Sequence, residues 1–306
     1  MGIRVSQRLL VDRVLTNLNS QTVRILKLQE QLSTQLRVNR PSDDPLAARR
    51  AMNARDEIAK NDQFLTNIST IGVSQSETES AIKTVNDLVL RVKELTLRGV
   101  NQTNGQTQRD QFAGEINQII ENVLEQGNHV TNGRYIFAGT RTSSPAFTAT
   151  RATNGDITSI TYDGNDGKIR AEVSEGVYVS TNETGEDVFL SSSSTSVNIF
   201  DTLIAIRDNL RAGNVTALQN QIGDLDKARD QLLAAVSRVG ATQNRLDTVQ
   251  ENLDDISGEL EGVLSDAIDA DYAEVILNLN AESNAYQAAL NAGSRVIQPS
   301  LLDFIR

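Results

Sequence analysis

His129 is the only histidine in a chain of 306 residues that also lacks cysteine and tryptophan. A Ser-His-Asp relay would have to run through it, and thiolate or multi-histidine metal centres cannot be built. His129 stands just before Thr131-Asn132-Gly133 at an expected helix end, where a cation is favoured, so it reads as a capping residue rather than a base. Asp43 and Asp44 are adjacent carboxylates, a pattern for metal or acid–base work. Asp44 directly precedes Pro45, however, which is the order of an N-cap and a first-turn proline. Asp163, Asn165 and Gly167 resemble the start of a calcium loop, but that loop needs an acid or amide where Gly167 sits and a glutamate where Ser174 sits. A hairpin turn accounts for the segment instead. No phosphate-binding or dinucleotide-binding glycine loop is present. Met1–Ser6 fits a myristoylation pattern, and Asn67, Asn101, Asn182 and Asn214 open glycosylation sequons; both are short patterns that arise by chance. The chain is therefore expected to carry no catalytic, cofactor or metal site and not to be an enzyme.

The length allows about two domains. With 39% hydrophobic and 23% charged residues the composition suits a folded protein, whereas 4% aromatics argues against a large aromatic core. A net charge of -11 argues against nucleic acid as a partner. No apolar run reaches the ~18 residues of a membrane span. Arg4, Arg8, Asp12 and Arg13 interrupt any apolar signal region, so the chain is expected to stay in the cytoplasm or to leave by a route other than the general secretory one.

The charge is unevenly distributed. Residues 1–60 hold 11 Lys/Arg against 6 Asp/Glu, while residues 246–306 hold 12 Asp/Glu against 2 Lys/Arg. Opposite signs at the two ends suggest that the ends meet. Arg8, Arg13 and Arg24 are the N-terminal cations placed to meet the acidic end.

Periodicity supports this pairing. Val11, Leu18, Ile25 and Leu32 repeat every seven residues, with Val14 and Leu28 between them and Gln21 and Gln35 as polar interruptions. Near the other end Leu246, Val249, Leu253, Ile256, Leu260 and Val263 alternate in steps of three and four. After Ala267 the phase shifts, a stutter, and Val275, Leu279, Tyr286, Ala289 and Val296 continue. The first helix is expected over 4–38. It has only a stripe to bury and needs a partner. These seams are expected to pair within the protomer and between protomers, making Val11, Val14, Leu18, Ile25, Leu28, Leu32, Val275, Leu279, Tyr286 and Val296 self-assembly residues.

Between the ends, Asn39-Arg40-Pro41-Ser42-Asp43-Asp44-Pro45 breaks the helix. Helix is expected from Pro45 to about Arg98, stopped by Gly99, and from Gln106 to Asn128. Residues 134–190 turn to Thr, Val, Ile and Tyr, with strands expected at Tyr135–Ala138, Ile157–Tyr162, Ile169–Val173 and Val177–Ser180. Asn154-Gly155-Asp156 and Asp163–Gly167 read as hairpin turns. Helix resumes at Val197, closes at Gly213, and runs from Val215 to Val296 with a break near Gly240 or Gly258. The fold class is mainly α with a β insertion: a long antiparallel helical bundle or coiled coil formed by both termini, plus a small β-rich outer domain. Its parts are an N-terminal assembly helix (1–40), two bundle halves (41–132 and 196–257) around the β-rich domain (133–195), and a C-terminal assembly helix (258–306).

The segment Asn39-Arg40-Pro41-Ser42-Asp43-Asp44-Pro45-Leu46-Ala47-Ala48 resembles the N-terminal signature of the bacterial flagellin superfamily. Gly133 through Thr140, with Tyr135, Phe137 and Gly139, resembles the opening of that family's β domain, as Tyr162–Gly167 resembles its hairpin. Asn284–Ala289 and Leu301-Leu302-Asp303-Phe304 are similar to its terminal assembly segment, which adds Leu301, Leu302 and Phe304 to the self-assembly set. Ile3-Arg4-Val5-Ser6, the single short β insertion and Asn198–Leu203 resemble members that sit at the hook–filament junction more than the filament subunit.

The resemblance implies a structural protein of the flagellum, exported by the flagellar type III system to the extracellular hook–filament junction. There it would form an adaptor ring with copies of itself, the other hook-associated junction protein on the hook side and flagellin on the filament side. An export chaperone would mask Leu279, Tyr286 and Val296 on the C-terminal helix. It also implies that the terminal helices fold as they assemble; the filament subunit is the alternative role.

Overall fold

The computed structural model describes residues 2–101, 105–190 and 196–297. Three helices come first: α1 (Gly2–Thr34), α2 (Pro45–Val100) and α3 (Gln106–Gly127). Six short strands follow: β1 (Val130–Thr131), β2 (Arg134–Tyr135), β3 (Phe147–Arg151), β4 (Ile157–Tyr162), β5 (Arg170–Ser174) and β6 (Val177–Ser180). Four helices complete the chain: α4 (Gly185–Phe189), α5 (Ile199–Ala212), α6 (Val215–Ile268) and α7 (Tyr272–Ile297). The fold is mainly helical with a β insertion. It divides into two compact units, residues 1–60 with 255–306, and residues 61–254, so that α2 and α6 each contribute to both.

The strands pair only as antiparallel hairpins: β1 with β2, β3 with β4, β5 with β6. Asn132 and Gly133, both at positive φ, make the first hairpin turn. The Asn154-Gly155-Asp156 segment joins β3 to β4 as its composition predicts. Asp163–Gly167 does not make a hairpin, because β4 and β5 belong to different sheets. The strand expected at Tyr135–Ala138 stops at Tyr135. Ile136, Phe137 and Ala138 turn inward instead and are buried. β3 and α4 are elements that the sequence pattern does not predict.

In the unit spanning 61–254, α6 buries Leu218, Leu225, Leu232, Val239, Leu246 and Leu253, one residue every seven. The heptad read from Leu246 onward thus starts four turns of the repeat earlier. On α2 the buried residues Ile82, Val85, Val89, Val92 and Thr96 alternate in steps of three and four. Gly99 lies within the last turn of α2 rather than stopping it. A Cβ there would lie 2.3 Å from Leu210 Cδ2, so its lack of a side chain admits α5. The β5–β6 hairpin seats Val173 and Val179 on Ile68 and Ile71 of α2 and on Leu246 and Leu253 of α6.

The low aromatic content still supplies a compact aromatic cluster. Phe147 sits 5.3 Å from Phe189, 4.9 Å from Phe200 and 5.2 Å from Tyr162, ring centre to ring centre. Phe137 meets Phe189 edge-on at 5.1 Å. Few aromatics suffice because the fold concentrates them, and each buried ring contributes about 1.5–3 kcal/mol.

Candidate functional site

In the unit formed by 1–60 and 255–306, α1 and α7 pack against one another. Val11, Val14, Leu18, Ile25, Leu28 and Leu32 all lie half-buried on one face of α1, and Gln21 shares that face. On α7, Val275 is buried, and Leu279, Tyr286 and Ala289 are half-buried in the same three-four rhythm. Gly293 brings the helices close: a Cβ there would lie 2.9 Å from Val14 Cγ1. The structure therefore places these candidate assembly residues on one intramolecular seam. The side chain of Val296, together with Leu301, Leu302 and Phe304, lies outside the described residues.

Two helices can cover only one face of each other. Leu9, Leu15, Val23 and Leu26 of α1 remain 53–59% exposed, and Ile276, Leu277 and Leu290 of α7 remain 43–69% exposed. These apolar side chains are left uncovered by the α1–α7 pairing itself.

Charge contributes less to the meeting of the two ends than its uneven distribution suggests. Of the twelve acids in 246–306, only Glu274 and Glu282 lie on α7; most lie on α6. Among the described residues a single ion pair joins α1 to α7, Arg24 Nε to Glu282 Oε1 at 2.8 Å, and it is half-exposed. Arg13 makes none, and the side chain of Arg8 is outside the described set. The termini meet through apolar and small residues, with charge a minor contributor.

The chain between α1 and α2 meets the chain between α6 and α7. Gln35, at φ +63°, ends α1 four residues short of the expected limit. Gly240 and Gly258 do not break α6, which runs through both to Ile268. The break falls at 269–271, where the phase shift had been read as a stutter within one helix. Leu36 and Asp269 form an antiparallel bridge. Ala270 N donates to Gln35 O at 2.9 Å, and Arg37 N donates to Ile268 O at 2.6 Å. Arg37 Nη2 donates to Ala267 O at 2.7 Å, and the Tyr272 hydroxyl to Leu32 O at 2.9 Å. Carbonyls left without partners at the end of each helix are thus satisfied by the chain that leaves the other.

The family-signature residues Asn39–Pro45 build this double break. Asn39 Nδ2 donates to Leu36 O at 3.1 Å, and Arg40 N donates to Asp43 Oδ2 at 3.0 Å across the turn that contains Pro41 and Ser42. Lys27 Nζ bonds Asp43 Oδ1 at 2.8 Å, and Arg40 reaches Glu30 at 3.3 Å. Asp44 Oδ1 accepts from Leu46 N and Ala47 N at 3.1 and 3.0 Å, capping α2, with Pro45 in its first turn. The Lys27 hydrogen bond, foremost, holds the Asp43 carboxyl below its ordinary value; the Ala47 amide does the same for Asp44. Both acids serve capping and turn closure. Val38, Ala47 and Ala51 pack beneath on Ala267 and Ile268.

The second signature patch lies in the unit 61–254. Gly139, at φ +68°, faces Asn165: a Cβ would lie 1.9 Å from the Asn165 carbonyl oxygen. Asn165 Oδ1 accepts from Thr140 N at 2.8 Å and Gly167 N at 3.1 Å. The half-buried Tyr162 hydroxyl sits 3.0 Å from Phe137 O and 2.9 Å from Asn165 O, and partial burial pushes its pKa up to about 12. The apparent calcium loop is thus a clasp that holds the 136–140 turn over the aromatic core. His129 Nε2 lies 3.2 Å from Glu77 Oε2, a pairing with α2 that adjacency in sequence did not reveal. Among the described residues no three His, Asp or Glu side chains gather as a metal site, and no helix is long and apolar enough to cross a membrane. Sequence patterns do not single out Arg37, and the partners of Asn165 and Tyr272 lie too far away in the chain to be read from spacing.

Comparison with known proteins places this arrangement. The bacterial flagellin N-terminal helical region matches residues 5–142, and the bacterial flagellin C-terminal helical region matches 222–305, together well over half of the chain. The chain is 25% identical to flagellar hook-associated protein 3 of Salmonella typhimurium over 308 aligned residues, covering 94% of this chain and 95% of that protein. It is 26% identical to a flagellin of Halalkalibacterium halodurans, covering 87% of each. A solved putative flagellar hook-associated protein from Vibrio parahaemolyticus superposes with a TM-score of 0.66 at 19% identity, covering 74% of this chain and all of the other, which shows a shared fold.

Proposed function

Because the chain belongs to the bacterial flagellin family, we propose that it is a structural subunit of the flagellum that forms an adaptor ring between hook and filament. The observation that carries this reading is the end-to-end similarity to hook-associated protein 3, at nearly equal length and with one small β insertion between the helical halves. Its partners in that ring are copies of itself, the other hook-associated protein on one side and flagellin on the other. It reaches the extracellular junction through flagellar type III export, with a chaperone over Leu279, Tyr286 and Val296.

The α1–α7 pair supplies the assembly surface. Its seam residues are half-covered within one protomer, and the pair leaves Leu9, Val23, Leu26, Leu277 and Leu290 exposed. Helical stability comes chiefly from packing of an apolar face. Ordering each residue costs about 1–2 kcal/mol, so full order of these helices requires neighbours on the second face. Folding of the ends is thereby coupled to assembly, which delays polymerisation until the subunit reaches its place. Strong amide protection across residues 5–35 in the isolated monomer would count against this coupling.

A deletion strain tests the role. Cells lacking this protein should make hooks, shed flagellin monomers and grow no filaments, and the wild-type gene should restore them. Filaments that grow normally without it would overturn the proposal. The flagellin-like alternative rests on the similarity to the Halalkalibacterium halodurans protein; purified protein that grows long filaments by itself would favour it.

A further inference from the structure

Within the unit 61–254 the buried face of α2 keeps an unbroken three-four rhythm. Ile68, Gln75, Ile82, Val89 and Thr96 recur every seven residues, and Ile71, Thr78, Val85 and Val92 fall between them. On α6, Leu225, Leu232, Val239, Leu246 and Leu253 form one such row, and Ala228, Ala235, Thr242 and Val249 form the other. Ile71 shares an apolar cluster with Leu246, while Lys93 pairs with Asp226. The two helices therefore run in opposite directions, with Gln75 level with Thr242.

That level is polar on both helices, and it divides two apolar clusters. On one side Ile68 and Ile71 meet Leu246 and Leu253; on the other Ile82 and Val85 belong with Leu232 and Val239. The Thr78 and Thr242 hydroxyls bond back to their own helices, at Ser74 O and Arg238 O. Gln75 is only 2% exposed, yet its one hydrogen bond runs from Nε2 to Ser180 O at 3.4 Å, and Oε1 is sealed without a partner among the described residues. An amide held so loosely in an interior lowers stability.

A regular heptad carries a hazard that such a residue removes. Sliding α6 by seven residues along α2, about 10 Å, would again set its leucines against apolar layers. The same slip would put Gln75 against Ala235 or Val249 and Thr242 against Ile68 or Ile82, burying polar groups among apolar ones. We propose that Gln75, with Thr78 and Thr242, sets the axial register of the α2–α6 pair and excludes the displaced one, at a cost in stability. The inference is independent of the junction role, because the layer lies wholly in the unit 61–254.

Distance measurement between two spin labels on the full-length chain tests it. The chain has no cysteine of its own, so Ser69→Cys on α2 and Ala241→Cys on α6, both at exposed positions, label it uniquely. With the polar layer intact, one narrow distance is expected. Gln75→Leu combined with Thr78→Val and Thr242→Val should add a second population, its helices displaced along their axes by about 10 Å. Gln75→Leu alone should raise the denaturation midpoint and broaden the distance, whereas Gln75→Asn should keep the distance single. One narrow distance in both apolar variants would overturn the assignment. So would a lowered midpoint or loss of folding in Gln75→Leu, since the layer would then serve stability rather than register.

Discussion

The Tyr272 hydroxyl donates to the main-chain carbonyl of Leu32 across 2.9 Å, tying the first turn of α7 to the last full turn of α1. Removing only that hydroxyl, with Tyr272→Phe, should cost about 0.5–1.5 kcal/mol of local stability. Hydrogen exchange should quicken at residues 25–34 and 272–285 and stay unchanged around Phe137 and Leu225. Uniform acceleration across the chain would show that the bond is not local in effect.

Gly139→Ala places a methyl group against the Asn165 carbonyl at a backbone angle that alanine resists. The expected cost is about 2–4 kcal/mol, from the clash and the strain together. Chemical denaturation should show a lowered midpoint, and the fluorescence or near-ultraviolet signal of Tyr162 should report loosening of the turn. A midpoint within error of wild type would remove the clasp from the account of the fold.

Asp43 and Asp44 both hold folded-state pKa values below the ordinary carboxylate value, so their contribution is fully present above that value. It is lost as pH falls through the lower, folded value. Thermal melts should therefore fall as pH drops below the ordinary carboxylate value of about 3.9. In Asp44→Asn, which keeps a capping oxygen, the acid loss should be shallower while the neutral-pH melt changes little. An unchanged acid limb would assign the pH dependence to other groups.

Arg24→Glu faces the negative Glu282 and should weaken the α1–α7 pair by roughly 0.2–1 kcal/mol, less at high salt. Combining it with Glu282→Arg should restore most of the loss. Assembly into the flagellum, scored by filament number per cell, should follow the same pattern. A double variant no better than the single one would mean that the pair does not interact.

Leu277 is 69% exposed, so Leu277→Asp should leave the unfolding midpoint of the isolated protein unchanged. If that face is covered on assembly, the same change should abolish complementation of a deletion strain. Full complementation would remove Leu277 from the assembly surface.

Much of the α1–α7 seam was legible because a heptad states its own geometry: Val11, Val14, Leu18, Ile25 and Leu279 follow from spacing alone. What failed were features that depend on distant partners. A glycine within a helix costs only about 1 kcal/mol, so α6 passes through Gly240 and Gly258, each with open space around it. It ends instead where Arg37, more than two hundred residues away in sequence, supplies donors to its last carbonyls. Asp163–Gly167 carries turn chemistry without revealing what the turn closes on. Phe147 and Phe137 read as isolated aromatics until the fold gathers them with Phe189 and Phe200.

Leu36 and Asp269 face each other where two strands of chain change direction side by side. Each strand holds the acceptors for the other's donors, so neither can straighten alone without stranding polar groups. A torque on α1 is therefore felt by α7 at the same point, and the two yield together or not at all. In the proposed adaptor role, such a joint would concentrate compliance at one place and leave the helices on either side intact.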